Sequence, residues 1–163
     1  MPVERRATLK FDPASSVWIG LRLVVISNRY VTSLYSQIDD QLGLQRDDVA
    51  VLACLSITDA TTAQEIVRYT GRPKNSVSRA VTGLEASGFL SRAIHPHDGR
   101  AATLAVTAKG RRAVKLIGSR AAEHDGRMMA DLNEHERQEL TRLLNIIGDS
   151  SLKLAAPARR RRP

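Results

Sequence analysis

The chain has 163 residues, of which 42% are hydrophobic and 4% aromatic, with a formal net charge of +8 and a single cysteine. This composition predicts one folded domain with an aliphatic core, and the lone cysteine excludes an internal disulfide framework. The N-terminus lacks the apolar segment of a secretory signal, and the longest apolar run, residues 17–26, is too short to span a bilayer, so we expect a cytoplasmic protein that does not associate with membranes.

The first predicted element is a long helix. Asp12 as its cap and Pro13 in its first turn are typical of a helix start, and apolar residues recur at helical spacing until Gly43, which is expected to end it. Its wide apolar surface indicates contact with partners on more than one side. Asp47 and Asp48 then favour the start of a second helix, because carboxylates stabilise the positive end of a helix dipole.

Two short helices follow in close succession. Thr61 or Thr62 is predicted to cap the first, and Glu65 stands three residues after Thr62, at capping-box spacing. The sequence Thr-Gly-Arg-Pro at residues 70–73 breaks this helix. The second short helix is predicted over residues 74–87.

The second short helix has two distinct faces, because positions three and four residues apart lie on the same side. The apolar face comprises Val77, Ala80, Val81 and Leu84, and the polar face comprises Asn75, Ser78, Arg79 and Thr82. A helix, a glycine-containing turn and a helix with such a polar face are typical of a helix-turn-helix, although any helical hairpin can produce the spacing.

A β-hairpin is predicted directly after this pair of helices. Gly88 closes the preceding helix, and residues 89–94 and 102–106 alternate as short strands. A hairpin at this place is a wing. The residues between the strands include His95, His97 and Asp98, which are the start of a metal site or simply the turn of the hairpin.

Two further helices complete the predicted elements. Thr107 is expected to cap a long helix that continues to Leu132, and Asn133 with Glu136 forms a second start of the capping-box type. The last helix is expected to stop at Gly148.

Positive charge is concentrated in one segment. Residues 72–112 hold eight basic residues against two acidic ones, a net charge of +6, and residues 159–162 are four arginines. One basic segment in a chain that is otherwise nearly neutral indicates a surface for a polyanion. The plain alternative is a solvated basic face without a ligand.

Two patterns around the wing are specific. The wing carries Asp98-x-Arg100-x-x-x-Leu104-x-Val106-Thr107-x-x-Gly110, and upstream of it Ser76-Val-Ser-Arg79 precedes Leu84-Glu85-x-x-Gly88-Phe-Leu. Over roughly residues 21–147 the sequence resembles the MarR family of bacterial transcription regulators, with Val106 in place of the usual leucine. Both the wing pattern and the recognition-helix pattern are similar to those of the family.

The resemblance implies a mainly α fold, a winged helix-turn-helix with a small β-hairpin wing and long terminal dimerisation helices. One domain is expected over residues 12–150, with a DNA-binding lobe at 46–106, dimerisation helices at 12–42 and 107–150, and a disordered basic tail at 151–163. The expected assembly is a homodimer on double-stranded DNA. Its two-fold symmetry implies a pseudo-palindromic operator with half-sites about one helical turn apart.

Eight residues are predicted to bind DNA, namely Lys74, Asn75, Ser76, Ser78, Arg79, Thr82, Arg92 and Arg100. Arg79 is best placed to pair bidentately with a guanine. Contact with phosphates, or steering towards them, is expected of Lys74, Arg92, Arg111 and Arg112. The resemblance implies that Arg100, at the wing tip, enters the minor groove. An ordinary exposed residue is the alternative for each position.

The resemblance also decides between the two interpretations of the hairpin histidines. The family has polar turn residues where His95 and His97 stand, whereas a zinc site needs three or four ligands with supporting hydrogen bonds. We therefore predict turn residues, no metal and no cofactor.

Regulation is expected to involve the first helix. The resemblance implies a small aromatic acid or phenol as effector, and we predict Trp18, Arg22, Arg29 and Tyr30 as its ligand-binding residues. The alternative for this helix is interface packing. A redox-sensing regulator that uses Cys54 is a further alternative, although a thiol among apolar helical neighbours is typically inert.

The function predicted from these observations is a dimeric repressor of a nearby promoter, released by its effector. The alternative of another class is a winged-helix module for protein or RNA contacts, anchored by the arginine tail. No nucleophile, base or phosphate-binding loop stands at motif spacing, so an enzyme is not predicted.

Overall fold

A computed structural model describes residues 18–58, 61–94 and 102–154 of the chain. These residues form α1 (Ile19–Leu42), α2 (Arg46–Ile57), α3 (Ala63–Thr70), α4 (Lys74–Ala86), β1 (Leu90–Ile94), β2 (Ala102–Val106), α5 (Ala108–Met128) and α6 (Glu134–Leu154). The chain divides into two compact units, residues 1–33 and 34–163. None of the helices described is both long and apolar enough to cross a membrane.

The first unit contributes the N-terminal part of α1. Trp18 precedes the helix with a positive φ of 69°, and its carbonyl accepts a hydrogen bond from the Arg22 amide at 2.9 Å. Large apolar side chains are exposed at Trp18 and along this part of α1, namely Ile19, Leu21, Leu23, Val24 and Ile26. The predicted helix start at Asp12 and Pro13 lies outside the described residues.

The core of the second unit lies between α2, α3, α4 and the hairpin. Its fully buried side chains include Val51, Leu52, Ile66, Val77 and Leu84. Burial of each such side chain stabilises the fold by about 1.5–3 kcal/mol. All four residues of the predicted apolar face of α4 are buried, which confirms that face.

The two strands form the predicted antiparallel hairpin, with Leu90 opposite Val106 and Ile94 opposite Ala102. The Leu104 amide also donates a hydrogen bond to the Thr61 carbonyl at 2.7 Å, which ties the hairpin to the residue before the helix-turn-helix. The architecture is therefore the predicted mainly α winged helix-turn-helix. The first strand begins at Leu90, one residue later than expected.

Helix ends follow the capping rules in most places. Of the two candidate caps of α3, Thr62 is the residue used, and it exchanges hydrogen bonds with Glu65 in a capping box. Gly43 and Gly88 end α1 and α4 with positive φ values of 61° and 75°, a conformation that glycine adopts without steric cost. Asn133 and Glu136 bond each other's backbone amides, as predicted for the start of α6.

Two predicted helix ends are wrong. The fifth helix stops at Met128 rather than Leu132, and the Arg137 side chain bonds the Met129 and Leu132 carbonyls of the turn that follows. The last helix does not stop at Gly148 but continues to Leu154. Glycine within a helix costs about 1 kcal/mol relative to alanine, which weakens a helix without ending it.

Candidate nucleic-acid interface

The conformation of Gly71 and an ion pair of Arg72 fix the turn between α3 and α4. Gly71 leaves α3 with a left-handed φ of 66°, and the Arg72 guanidinium forms an ion pair with the Asp47 carboxylate at the start of α2. Pro73 then precedes α4 and has no side-chain acceptor, so no side chain caps the first turn of α4 from this position. The N–H groups of a helix's first turn, left without a cap, favour an anion.

The capping box of α3 also perturbs a carboxyl group. The Glu65 carboxylate accepts hydrogen bonds from the Thr61 amide at 2.8 Å and from the Thr62 amide at 3.0 Å. These hydrogen bonds, chiefly the one from the Thr61 backbone, lower the pKa of Glu65 below its ordinary value of 4.5. The charged form of Glu65 is therefore favoured in the folded protein.

The polar face of α4 is open to solvent. Most of the predicted DNA-binding residues of this helix are exposed, namely Lys74, Asn75, Ser78, Arg79 and Thr82, whereas Ser76 is half-buried. The Thr82 hydroxyl donates to the Ser78 carbonyl at 3.0 Å, so its hydrogen is used within the helix. The structure thus presents Lys74, Asn75, Ser78 and Arg79 together on one exposed helix surface.

On the wing, the exposed Arg92 of β1 donates through Nε to the Glu85 carboxylate of α4 at 3.1 Å. This ion pair places a predicted phosphate-binding residue beside α4. The predicted tip residue Arg100 lies outside the described residues, as do His95, His97 and Asp98. Among the residues described, no group of three or more His, Cys, Asp or Glu side chains is arranged to hold a metal ion.

Two basic residues of the +6 segment bond the protein's own backbone. The Lys109 ammonium donates to the Ser87 carbonyl at 2.8 Å, and the Arg111 guanidinium donates to the Val106 carbonyl at 2.9 Å. Arg112, the next residue, is exposed. The positive charge of the segment does not by itself distinguish cations that bond the backbone from cations that are exposed. The Thr107-x-x-Gly110 spacing was the available signal that this segment packs closely.

The predicted effector residues share a stripe of α1 without forming one cluster. Arg22 and Arg29 are seven residues apart, two helical turns, and Trp18 lies one turn before Arg22. At a rise of about 1.5 Å per residue, Arg22 and Arg29 are separated by about 10 Å along the axis. Arg22 and Tyr30 are half-buried, while Trp18 and Arg29 are exposed.

The single cysteine is in the core. Cys54 is 3% exposed, and its Sγ lies 3.6 Å from the Thr58 hydroxyl. A buried thiol is poorly accessible to oxidants, so this position favours the inert role over redox sensing.

In its sequence the chain is similar to known transcriptional regulators. Residues 42–101 match the sequence model of the MarR family. The chain is also similar to HTH-type transcriptional repressors of Mycobacterium bovis and Mycobacterium tuberculosis, at 25% identity over 107 residues, which cover 66% of this chain and 77% of each repressor.

Solved structures share the fold. A MarR transcriptional regulator from Methanosarcina mazei superposes with a TM-score of 0.75 at 21% identity, covering 84% of this chain and 98% of that one. BpsR of Bordetella bronchiseptica, whose DNA binding is regulated by 6-hydroxynicotinic acid, superposes with a TM-score of 0.66 at 23% identity, covering 79% of this chain and 97% of that one. The predicted winged-helix fold is thereby confirmed.

Proposed function

We propose that the chain, whose residues 42–101 match the MarR family of transcriptional regulators rather than a family of enzymes, is a dimeric, sequence-specific repressor of a nearby promoter in the cytoplasm. A small aromatic acid or phenol is the proposed effector that releases it from DNA. The observation that carries the proposal is the exposed polar face of α4, with an arginine at its centre, inside the most basic segment of the chain.

The proposed mode of binding places α4 in the major groove. Double-stranded DNA presents closely spaced phosphates, so Lys74, Arg92 and Arg112 supply affinity by displacing counterions. Arg79 reads a guanine, because its guanidinium matches the two acceptors of that base. Asn75 and Ser78 contact base edges or nearby phosphates, and Arg100 enters the minor groove. The uncapped first turn of α4, at Ser76, adds backbone donors for a phosphate.

The proposed dimer uses the terminal helices. Apolar residues of α6 form a stripe at helical spacing, namely Leu140, Leu143, Leu144 and Ile147, and the last three are 42–43% exposed. The exposed apolar residues of α1 supply a second such surface. Contiguous apolar surface of this kind marks a protein interface. A second copy of the chain is the occupant that two-fold pairing on a pseudo-palindromic operator requires.

Release by an effector is supported by chemistry and by one relative. Arg22 and Arg29 offer guanidinium groups for a carboxylate, and Trp18 and Tyr30 offer rings for an aromatic body. BpsR responds to an aromatic acid of this class. An effector that changes the spacing of the two recognition helices lowers DNA affinity about 5–150-fold for a coupling of about 1–3 kcal/mol.

The test is selection of duplexes from a random-sequence pool by the purified full chain, followed by fluorescence anisotropy over a range of salt concentrations. We expect an enriched pseudo-palindrome that is bound far more tightly than an unrelated duplex, with a steep salt dependence. Arg79→Ala should weaken binding to the enriched duplex selectively. Equal, weak binding to both duplexes that survives Arg79→Ala and is lost on deletion of residues 159–162 would overturn the proposal in favour of a tail-anchored contact module.

A further inference from the structure

The three residues that follow α4 are hydrogen-bonded to the start of α5. Three consecutive carbonyls follow the end of α4, those of Ser87, Gly88 and Phe89, and each accepts a hydrogen bond from this region. Lys109 Nζ donates to the Ser87 carbonyl at 2.8 Å, the Thr107 hydroxyl to the Gly88 carbonyl at 2.7 Å, and the Thr107 amide to the Phe89 carbonyl at 3.0 Å. Hydrogen bonds to three consecutive carbonyls therefore join the end of α4 to the start of α5.

Lys109 makes a second contact at this junction. Its ammonium lies 4.2 Å from the centroid of the Phe89 ring, and Phe89 is 8% exposed. A cation at a helix C-terminus is favourable because it interacts with the negative end of the helix dipole and with the last carbonyls. The charge of Lys109 is thus directed at the end of α4 and at a ring of the core.

Gly110 brings the two segments into direct contact. A Cβ atom at this position would collide with the Phe89 carbonyl oxygen and with the Val106 side chain. Only glycine allows the helix to approach so closely. The close approach at Gly110 and the hydrogen bonds of Thr107 and Lys109 therefore fix the start of α5 against the residues that follow α4.

We propose that Lys109 is a positioning residue for DNA recognition, which holds the C-terminal end of α4 against α5 and does not bind phosphate. The inference rests on the DNA binding proposed above. It assigns to Lys109 control of the angle at which Arg79 and its neighbours enter the major groove. Removal of the ammonium should then reduce specific affinity while the sequence-independent attraction to phosphates persists.

The experiment compares Lys109→Met with Lys109→Arg and with Arg112→Met. Arg112 is an exposed cation one turn further along α5. Methionine keeps an apolar stem on Phe89 but removes the donor, whereas arginine keeps a charged donor. Affinity is measured by anisotropy for the duplex that the wild-type chain enriches and for an unrelated duplex, across salt concentrations. If Lys109→Met does not fold, as judged by circular dichroism, Lys109→Gln takes its place with the same expectation.

The expected result is a loss of about tenfold for Lys109→Met on the enriched duplex only, as for a lost hydrogen bond to a charged group. Its salt slope should equal that of the wild type, and Lys109→Arg should retain most of the affinity. Arg112→Met should instead weaken both duplexes alike.

Two results for Lys109→Met would overturn the inference alone. In one, Lys109→Met weakens both duplexes equally and lowers the salt slope by about 0.9, the change expected for one lost phosphate contact. In the other, Lys109→Met binds like the wild type. If the wild-type chain enriches no duplex, the proposed function and this inference are overturned together. If the wild type binds its enriched duplex and Lys109→Met binds equally well, only the inference is overturned.

Discussion

Arg92 Nε donates a hydrogen bond to Glu85 Oε2 at 3.1 Å, so an ion pair joins β1 to the last turn of α4. The two side chains are 42% and 38% exposed, and exposed pairs of this kind contribute only about 0–1 kcal/mol to stability. This bond uses one of the five N–H groups of the guanidinium. Glu85 therefore holds Arg92 loosely enough for a phosphate to compete.

The first prediction concerns this competition. Glu85→Gln should tighten binding to the enriched and the unrelated duplex alike, by a factor of about two to five, because a weakly held arginine becomes available and a charge that repels phosphates is removed. Arg92→Ala should weaken binding to both and lower the salt slope by about 0.9. Weaker binding of Glu85→Gln would show instead that the carboxylate orients Arg92 for DNA.

The second prediction concerns two glycines in α5 that differ in their surroundings. Gly110→Ala should destabilise the protein by about 1–3 kcal/mol, because the new Cβ meets the Phe89 carbonyl and the Val106 side chain. Gly118→Ala on the same helix should stabilise it by up to about 1 kcal/mol, because the added Cβ would meet no atom within 4 Å beyond its chain neighbours and the nearby backbone of its own helix. Urea unfolding followed by circular dichroism measures both, and equal effects of the two changes would contradict the close approach at Gly110.

The third prediction concerns pH and the capping box of α3. Hydrogen bonds from Thr61 and Thr62 lower the pKa of Glu65 below 4.5, so its ionised form contributes stability that is complete above pH 4.5. That contribution should be lost as the pH falls from 4.5 through the lowered pKa. Glu65→Gln should show a smaller decrease in thermal midpoint between pH 7 and acid than the wild type.

Two controls accompany this measurement. Thr62→Ala removes the other half of the box and should cost about 1 kcal/mol at neutral pH. Asp131→Asn removes one exposed carboxylate from the turn after α5 and tests for a general charge effect. A wild-type acid transition that Glu65→Gln leaves unchanged would contradict the prediction.

The fourth prediction concerns the apolar stripe of α6. Leu144→Glu and Ile147→Glu should each give a monomer by light scattering, because a charge would be buried in the proposed interface. The affinity for the pseudo-palindrome should then fall by about a hundredfold or more, since the second half-site no longer benefits from a linked partner. Asn145→Glu lies on the opposite side of the helix and should remain dimeric. Unchanged mass for all three variants would exclude this stripe as the interface.

The fifth prediction concerns the effector. Salicylate, as a simple aromatic acid, should weaken binding of the wild type to the enriched duplex. Arg22→Ala should abolish that response while the affinity without salicylate stays the same, because Arg22 is proposed to bind the carboxylate rather than DNA. A salicylate response that persists unchanged in Arg22→Ala would place the effector elsewhere.

Much of the fold follows from local patterns. Capping at Thr62 depends on a glutamate three residues away, and the buried face of α4 depends on spacing within a single helix, so both were predictable from the sequence. The end at Gly148 was predicted wrongly because glycine ends a helix only where the chain takes a positive φ, and the continuation to Leu154 does not require one. The effector stripe of α1 remains a prediction.

The sequence by itself determined the order of the helices and strands, the wing and the basic segment, because caps, alternation and charge act over a few residues. Only the tertiary structure decided what individual cations do within that segment. Lys109 and Ser87 are 22 residues apart, and packing of α5 against the end of α4 brings them together. By charge alone, Lys109, Arg92 and Arg112 are equivalent. In the folded protein Lys109 bonds a backbone carbonyl and Arg92 bonds a carboxylate, whereas Arg112 is exposed.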